Sequence, residues 1–147
     1  MPIDTRFVLR KVKLIQEDLS RLEKLSDNTF EQMTDDDIKL SAAERFLERI
    51  IMRAVDVNQH FISTLARGDE RVRGYEDTFY VLAELGVYDQ TFAKKIAPSA
   101  GLRNRLVHEY NDTEEEIIYH SIGDALKDYA AYCGYILKFV EGPQKII

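Results

Sequence analysis

Four side chains able to do chemistry together fall within eight positions: Arg103, Asn104, His108 and Tyr110, in the stretch "GLRNRLVHEY" at residues 101–110. Arginine offers a planar fork of donors matched to phosphate oxygens and stays charged at any cellular pH. Histidine takes or gives a proton near neutrality. Such a pair suits RNA cleavage without a metal. The histidine handles the proton of an attacking 2′-hydroxyl or of the leaving oxygen, and the arginine stabilises charge building on the phosphoryl group. Asn104 is then suited to orient the histidine or bond the substrate, and Tyr110 to stack a base or hold a phosphate oxygen. The plainer alternative is a solvated helix face with a histidine near its end, where the helix dipole favours it. Residue types alone leave both open.

Spacing constrains the first possibility. On an ideal helix Arg103 and Tyr110 are nearly eclipsed, whereas Arg103 and His108 lie about 140° apart. Cooperation between them therefore needs a bend at Pro98 and Gly101, the reach of a long side chain, or a second copy of the stretch from another subunit. Leu102 and Leu106 can anchor this segment to a core while its polar residues face outward.

The elements around the stretch read as helices throughout. Val8, Val12, Ile15, Leu19 and Leu22 give a seam over residues 5–26, capped by Asp4 or Thr5. "SDNTFEQMTDDD" breaks that period and reads as a connection. A second helix spans about Asp36 to Ala66, apolar over so broad an arc that it should be covered on two sides, by its own bundle and by a second chain. "RGDERVRG" at 67–74 is a polar loop. "YEDTFYVLAELG" is a short helix with Gly86 as its C-terminal cap. Another starts near Asp89 and reaches Pro98, which stops or bends it. Thr113 and Glu116 match a capping box opening the last helix, which runs to about Val140 before Gly142 and Pro143. No stretch alternates with a period of two for long enough to make a sheet. The expectation is an all-α, antiparallel four- to five-helix bundle, one domain over 1–147, that forms dimers.

Composition narrows the partners. Of the 147 residues, 45% are apolar and 31% charged, which suits a globular protein, and the net charge is −6. A chain living by non-specific nucleic-acid contact is usually basic, so any RNA must be met at a local site. Lys94, Lys95, Arg103 and Arg105 form one basic cluster, while "DDD" at 35–37 and "EEE" at 114–116 hold acid elsewhere. Cys133, the sole cysteine, forbids an intrachain disulfide and fits a reducing compartment. "MPIDTRFVLRKVK" has no apolar core of a leader, and no apolar run approaches the ~20 residues a spanning helix needs. A cytoplasmic protein with no membrane partner is expected.

Other titratable residues carry blander readings. Asp56 and His60, i and i+4, read as a structural hydrogen-bonded pair that could alternatively reach the cleft. His120 reads as surface. Three histidines without ligand spacing argue against a metal site, and no phosphate-cradling glycine motif occurs, so no cofactor is expected. Tyr129 and Tyr132 read as packing in the core or a dimer interface. Glu44 and Glu48 read as a salt-bridged face, with a role in orienting Arg103 as the alternative.

"RNRLVHEY" matches an R-x(4–6)-H-x-Y pattern and so resembles HEPN-domain ribonucleases, especially the HepT toxins of MNT–HepT toxin–antitoxin systems. "AAERFLERIIMRAVDVNQHFI", "GYEDTFYVLAELGVYD" and "GLRNRLVHEYND" resemble that family's second, third and motif helices, and the similarity covers about Arg10 to Phe139. The resemblance implies a helical homodimer with two motif helices across one cleft. It implies metal-independent endoribonuclease activity of a type VII-like toxin, with Arg103 and His108 catalytic and Asn104 supporting. It also implies inhibition by a nucleotidyltransferase antitoxin that transfers AMP onto Tyr110, a bulky anionic adduct that would repel RNA. Related HEPN domains instead bind a nucleotide or dock the nucleotidyltransferase without cutting anything, and that is the rival expectation.

Overall fold

The computed structural model describes residues 3–66, 72–102 and 112–142, with side chains of the last segment from residue 115. Among the described residues every regular element is helical. In chain order they are α1 (Thr5–Leu25), α2 (Phe30–Thr34), α3 (Asp37–Leu65), α4 (Tyr75–Glu84), α5 (Gln90–Ile96), a 3-10 turn (Ala97–Gly101) and α6 (Asp112–Glu141). This is the all-α bundle that the apolar periodicity predicts.

Local chemistry sets the helix starts. Asp4 caps α1, its carboxylate accepting the Phe7 N–H at 3.1 Å. Asp36 accepts from the N–H groups of Ile38 and Lys39 at the head of α3, and Asp89 from that of Phe92 at the head of α5. Each such cap satisfies a donor that has no partner inside its helix. Gly86 follows α4 with φ +90°, a left-handed conformation that glycine adopts without a Cβ penalty. Pro98 sits inside the 3-10 turn that ends α5.

One segment departs from expectation. The stretch read as a connection contains α2, held by a full capping box in which Thr29 and Gln32 exchange side-chain and backbone hydrogen bonds. Met33 is its fully buried anchor. Five residues with one apolar anchor are too short to show a helical period, so the capping chemistry was the legible signal.

The predicted α1 seam of Val8, Val12, Ile15, Leu19 and Leu22 is buried, and α3 buries Leu40, Leu47, Ile50, Ile51, Ala54, Val57 and Phe61. Fully burying such an aliphatic or aromatic side chain is worth about 1.5–3 kcal/mol. Helices α1, α4 and α6 all pack against α3 within one chain, while Phe46 and Ile62 of its apolar arc stay partly buried.

A buried polar chain crosses this core. The Tyr132 hydroxyl reaches Asn58 Oδ1 at 2.6 Å and the Ala54 carbonyl at 3.1 Å. The Asn58 amide donates to Thr78 Oγ1 at 3.0 Å, and Thr78 donates to the Tyr75 carbonyl at 2.6 Å. Burial raises the Tyr132 pKa well above its ordinary value, so the group remains a donor. The chain ties α6 to α3 and α3 to α4. Asn58→Ala is therefore expected to destabilise by about 2–4 kcal/mol, through lost bonds and a small cavity, and Tyr132→Phe by about 1 kcal/mol. Urea unfolding midpoints check both, with unchanged m-values showing that the fold persists.

Candidate active site and its surroundings

Arg103, Asn104, His108 and Tyr110 lie outside the described residues, as does Arg105. The described structure supplies the two anchors of that segment. On one side Leu102, 3% exposed, follows the 3-10 turn, and on the other α6 begins at Asp112, with Ile118 the first fully buried side chain among its described residues. The Thr113–Glu116 capping box falls where Thr113's side chain is not described, and the helix already runs at Asp112.

Beside Leu102 lies a cavity of about 150 Å³, lined on its polar side by Lys95, Ser99, Ser121, Asp124 and Asp128, with Leu47 and Ile51 of α3 as its apolar wall. Ser99 donates to the Ile96 carbonyl at 2.7 Å, which leaves its oxygen to accept from the Tyr129 hydroxyl at 2.6 Å. That contact pins the turn preceding Arg103 to the middle of α6. Lys95 lies 3.5 Å from Asp128, so one member of the basic cluster already has a carboxylate partner.

The remaining sequence candidates divide clearly. His60 and Asp56 do not pair with each other: His60 Nε2 accepts the Asp4 backbone N–H at 2.9 Å, and Asp56 binds Lys11 at 2.9 Å. Both residues serve the α1–α3 seam, because α1 packs along that flank of α3 and offers closer partners than one turn of the same helix. His120 is exposed, as expected. Tyr129 and Tyr132 are fully buried in the core. Glu48 pairs with Arg45 at 3.3 Å, a salt-bridged face, and any relation of Glu44 or Glu48 to Arg103 involves a residue outside the described set. Cys133 is buried, its thiol pushed up to about 12 by burial, which makes it a poor nucleophile. Sequence reasoning missed Lys95–Asp128 and Ser99–Tyr129, both joining positions about 30 residues apart.

Asp128 sits beside the cavity as a perturbed carboxyl. Burial raises its pKa, and the Lys95 ammonium opposes the rise. A carboxyl whose pKa is raised on folding holds its proton more tightly in the native state, so its contribution to stability is greatest below the unfolded value of about 3.9 and is lost as pH climbs through the folded value. Asp128→Asn should accordingly gain on the wild type as pH rises from about 4 toward neutrality. Denaturant unfolding across that range checks it, and a constant difference would refute it.

Comparison with known proteins places this geometry in a lineage. The model of the family described as "Ribonuclease HepT-like" matches residues 15–136. A protein named tRNA nuclease HepT, from Aphanizomenon flos-aquae, is 33% identical over 141 residues, covering 94% of this chain and 92% of that protein. A mutant MntA–HpeT toxin–antitoxin crystal structure contains a chain of the same fold, with TM-score 0.79 at 20% identity, covering 90% of this chain and 98% of that one. A tri-AMPylated Shewanella oneidensis HEPN toxin in complex with MNT antitoxin matches with TM-score 0.77 at 21% identity, covering 89% of this chain and 96% of that one. With a family match across most of the helical core and a relative similar nearly end to end, this chain belongs to the ribonuclease HepT-like family.

Proposed function

We propose that this protein is a metal-independent endoribonuclease, the toxin of a toxin–antitoxin pair, working as a cytoplasmic homodimer of one HEPN-like domain. The observation that carries the reading is the 33% identity to a tRNA nuclease HepT over 94% of the chain, joined to an intact Arg103-x4-His108-x-Tyr110 pattern. The relative's name points to tRNA as the substrate. His108 takes the proton of the attacking 2′-hydroxyl or supplies one to the departing 5′-oxygen, and Arg103 offsets negative charge on the phosphoryl oxygens as the bond order shifts. Asn104 orients the histidine or the substrate. Two protomers facing one cleft remove the difficulty that Arg103 and His108 diverge by about 140° on a single helix.

The partner is an MNT-type nucleotidyltransferase, in keeping with the antitoxin named in the Shewanella oneidensis complex. It transfers AMP from ATP onto the Tyr110 hydroxyl, releasing pyrophosphate. The adduct adds negative charge two residues from His108 and so repels the RNA backbone.

Purified protein incubated with tRNA in EDTA is expected to cleave it, and His108→Ala or Arg103→Ala to lower the rate by about 100-fold or more. Undiminished cleavage by both variants assigns the activity to another site. Intact-mass analysis after co-expression with the nucleotidyltransferase should show AMP additions that Tyr110→Phe abolishes. A wild-type protein that binds the nucleotidyltransferase but cuts no RNA and arrests no growth is the docking module instead.

A further inference from the structure

Three guanidinium groups converge on one carboxylate at the α1–α3 seam. Asp18 is fully buried. Its Oδ1 accepts from Arg21 Nη1 at 2.8 Å and Arg49 Nη2 at 3.1 Å, and its Oδ2 from Arg53 Nη1 at 2.7 Å. Arg49 Nε lies 3.1 Å from Oδ2 but finds no hydrogen bond there. Elsewhere on the same two helices Lys11 pairs with Asp56 and Arg45 with Glu48. At Asp18 three guanidinium groups share one carboxylate, in a chain of net charge −6.

Arg49 and Arg53 bridge α3 to Asp18 on α1, whereas Arg21 shares α1 with Asp18. A carboxylate has about four lone-pair sites, and three bonds nearly fill them, so most of the five N–H donors on each guanidinium are left over. The three side chains are 48%, 34% and 21% exposed at Arg21, Arg49 and Arg53, so part of each guanidinium-bearing side chain meets solvent. Like charges gathered on one buried carboxylate repel, and an anion seated on their outward edges relieves that repulsion. Planar forks fixed by a buried carboxylate are pre-organised for the tetrahedral oxygens of a phosphodiester.

We propose that Arg21, Arg49 and Arg53, held by Asp18, form a phosphodiester-binding exosite that grips the RNA backbone away from the bond being cut. The identity of the polyanion rests on the ribonuclease reading above. On α3, Arg49 and Arg53 lie about 120–160° from Leu47 and Ile51, which line the cavity beside Leu102. The triad therefore faces the other side of that helix and supplies binding energy remote from the reacting phosphate. Its loss weakens substrate binding and spares the chemical step.

The test measures tRNA binding against salt concentration in a His108→Ala background, comparing it with the added pair Arg21→Ala/Arg49→Gln. That pair leaves the 2.7 Å Arg53–Asp18 contact to hold the seam, and a thermal melt confirms folding. Each lost phosphate contact should lower the slope of log K against log salt by about 0.7, and weaken binding up to roughly fivefold. In the His108 wild type the same pair should raise KM for cleavage and leave kcat unchanged. Arg45→Ala, which removes a matched charge from the same helix, should leave the slope unaltered. The proposal is overturned if the double variant binds like its parent, if Arg45→Ala weakens binding as much, or if the double variant loses the nucleotidyltransferase or free ATP and not tRNA. Cleavage that survives with no triad dependence sinks the exosite alone. Triad-dependent binding without cleavage by the wild type sinks the ribonuclease reading alone.

Discussion

The 2.6 Å hydrogen bond between Tyr132 and Asn58 fixes the rotation of α6 against α3. Both residues are fully buried, so any rotation that separates them strands a phenol and an amide away from water, at a cost of several kcal/mol together. Apolar packing alone would tolerate a slide of one long helix along another, because neighbouring leucines and isoleucines are nearly interchangeable partners. A directional bond in the middle of the contact is not so forgiving. Through Thr78 the same constraint reaches α4, and through Tyr129 and Ser99, one turn away on α6, it reaches the 3-10 turn that leads into Arg103. The two ends of the motif segment are thus referred to one polar line through the core.

Charge is divided along the same architecture. The α1–α3 flank carries Lys11–Asp56 and the arginines on Asp18, while the cavity flank carries Lys95–Asp128. An acidic protein that is to meet RNA must concentrate cations where phosphates arrive and neutralise them elsewhere. Under the ribonuclease reading, Arg103 serves the reacting phosphate and the Asp18 triad a distant one.

Much of this was legible in the sequence, for physical reasons. The α1 seam, the extent of α3, Gly86 after α4 and Asp89 before α5 follow from local rules of period and capping, and these operate within a few residues. The Thr29–Gln32 box belongs to the same class, yet α2 escaped because a single buried Met33 cannot make a period. What stayed hidden was long-range. Asp56 found its partner on α1 and His60 at the residue that caps it, and Asp18 is bonded by arginines 31 and 35 positions away. Nothing in a run of alternating acids and bases distinguishes a solvated face from a buried ionic knot until the second helix is laid beside it. The motif residues show the reverse: Arg103, His108 and Tyr110 are singled out by type and spacing alone, and they lie outside the described residues.

The most direct test is whether one cleft draws its arginine and its histidine from two protomers. Arg103→Ala and His108→Ala proteins, each inactive alone, are mixed, unfolded and refolded together so that heterodimers form, and tRNA cleavage is measured in EDTA. Recovery of cleavage, scaling with the heterodimer fraction, is the predicted result, since such a dimer keeps one guanidinium and one imidazole in the shared site. A mixture as silent as its components, with heterodimers demonstrably present, would contradict it.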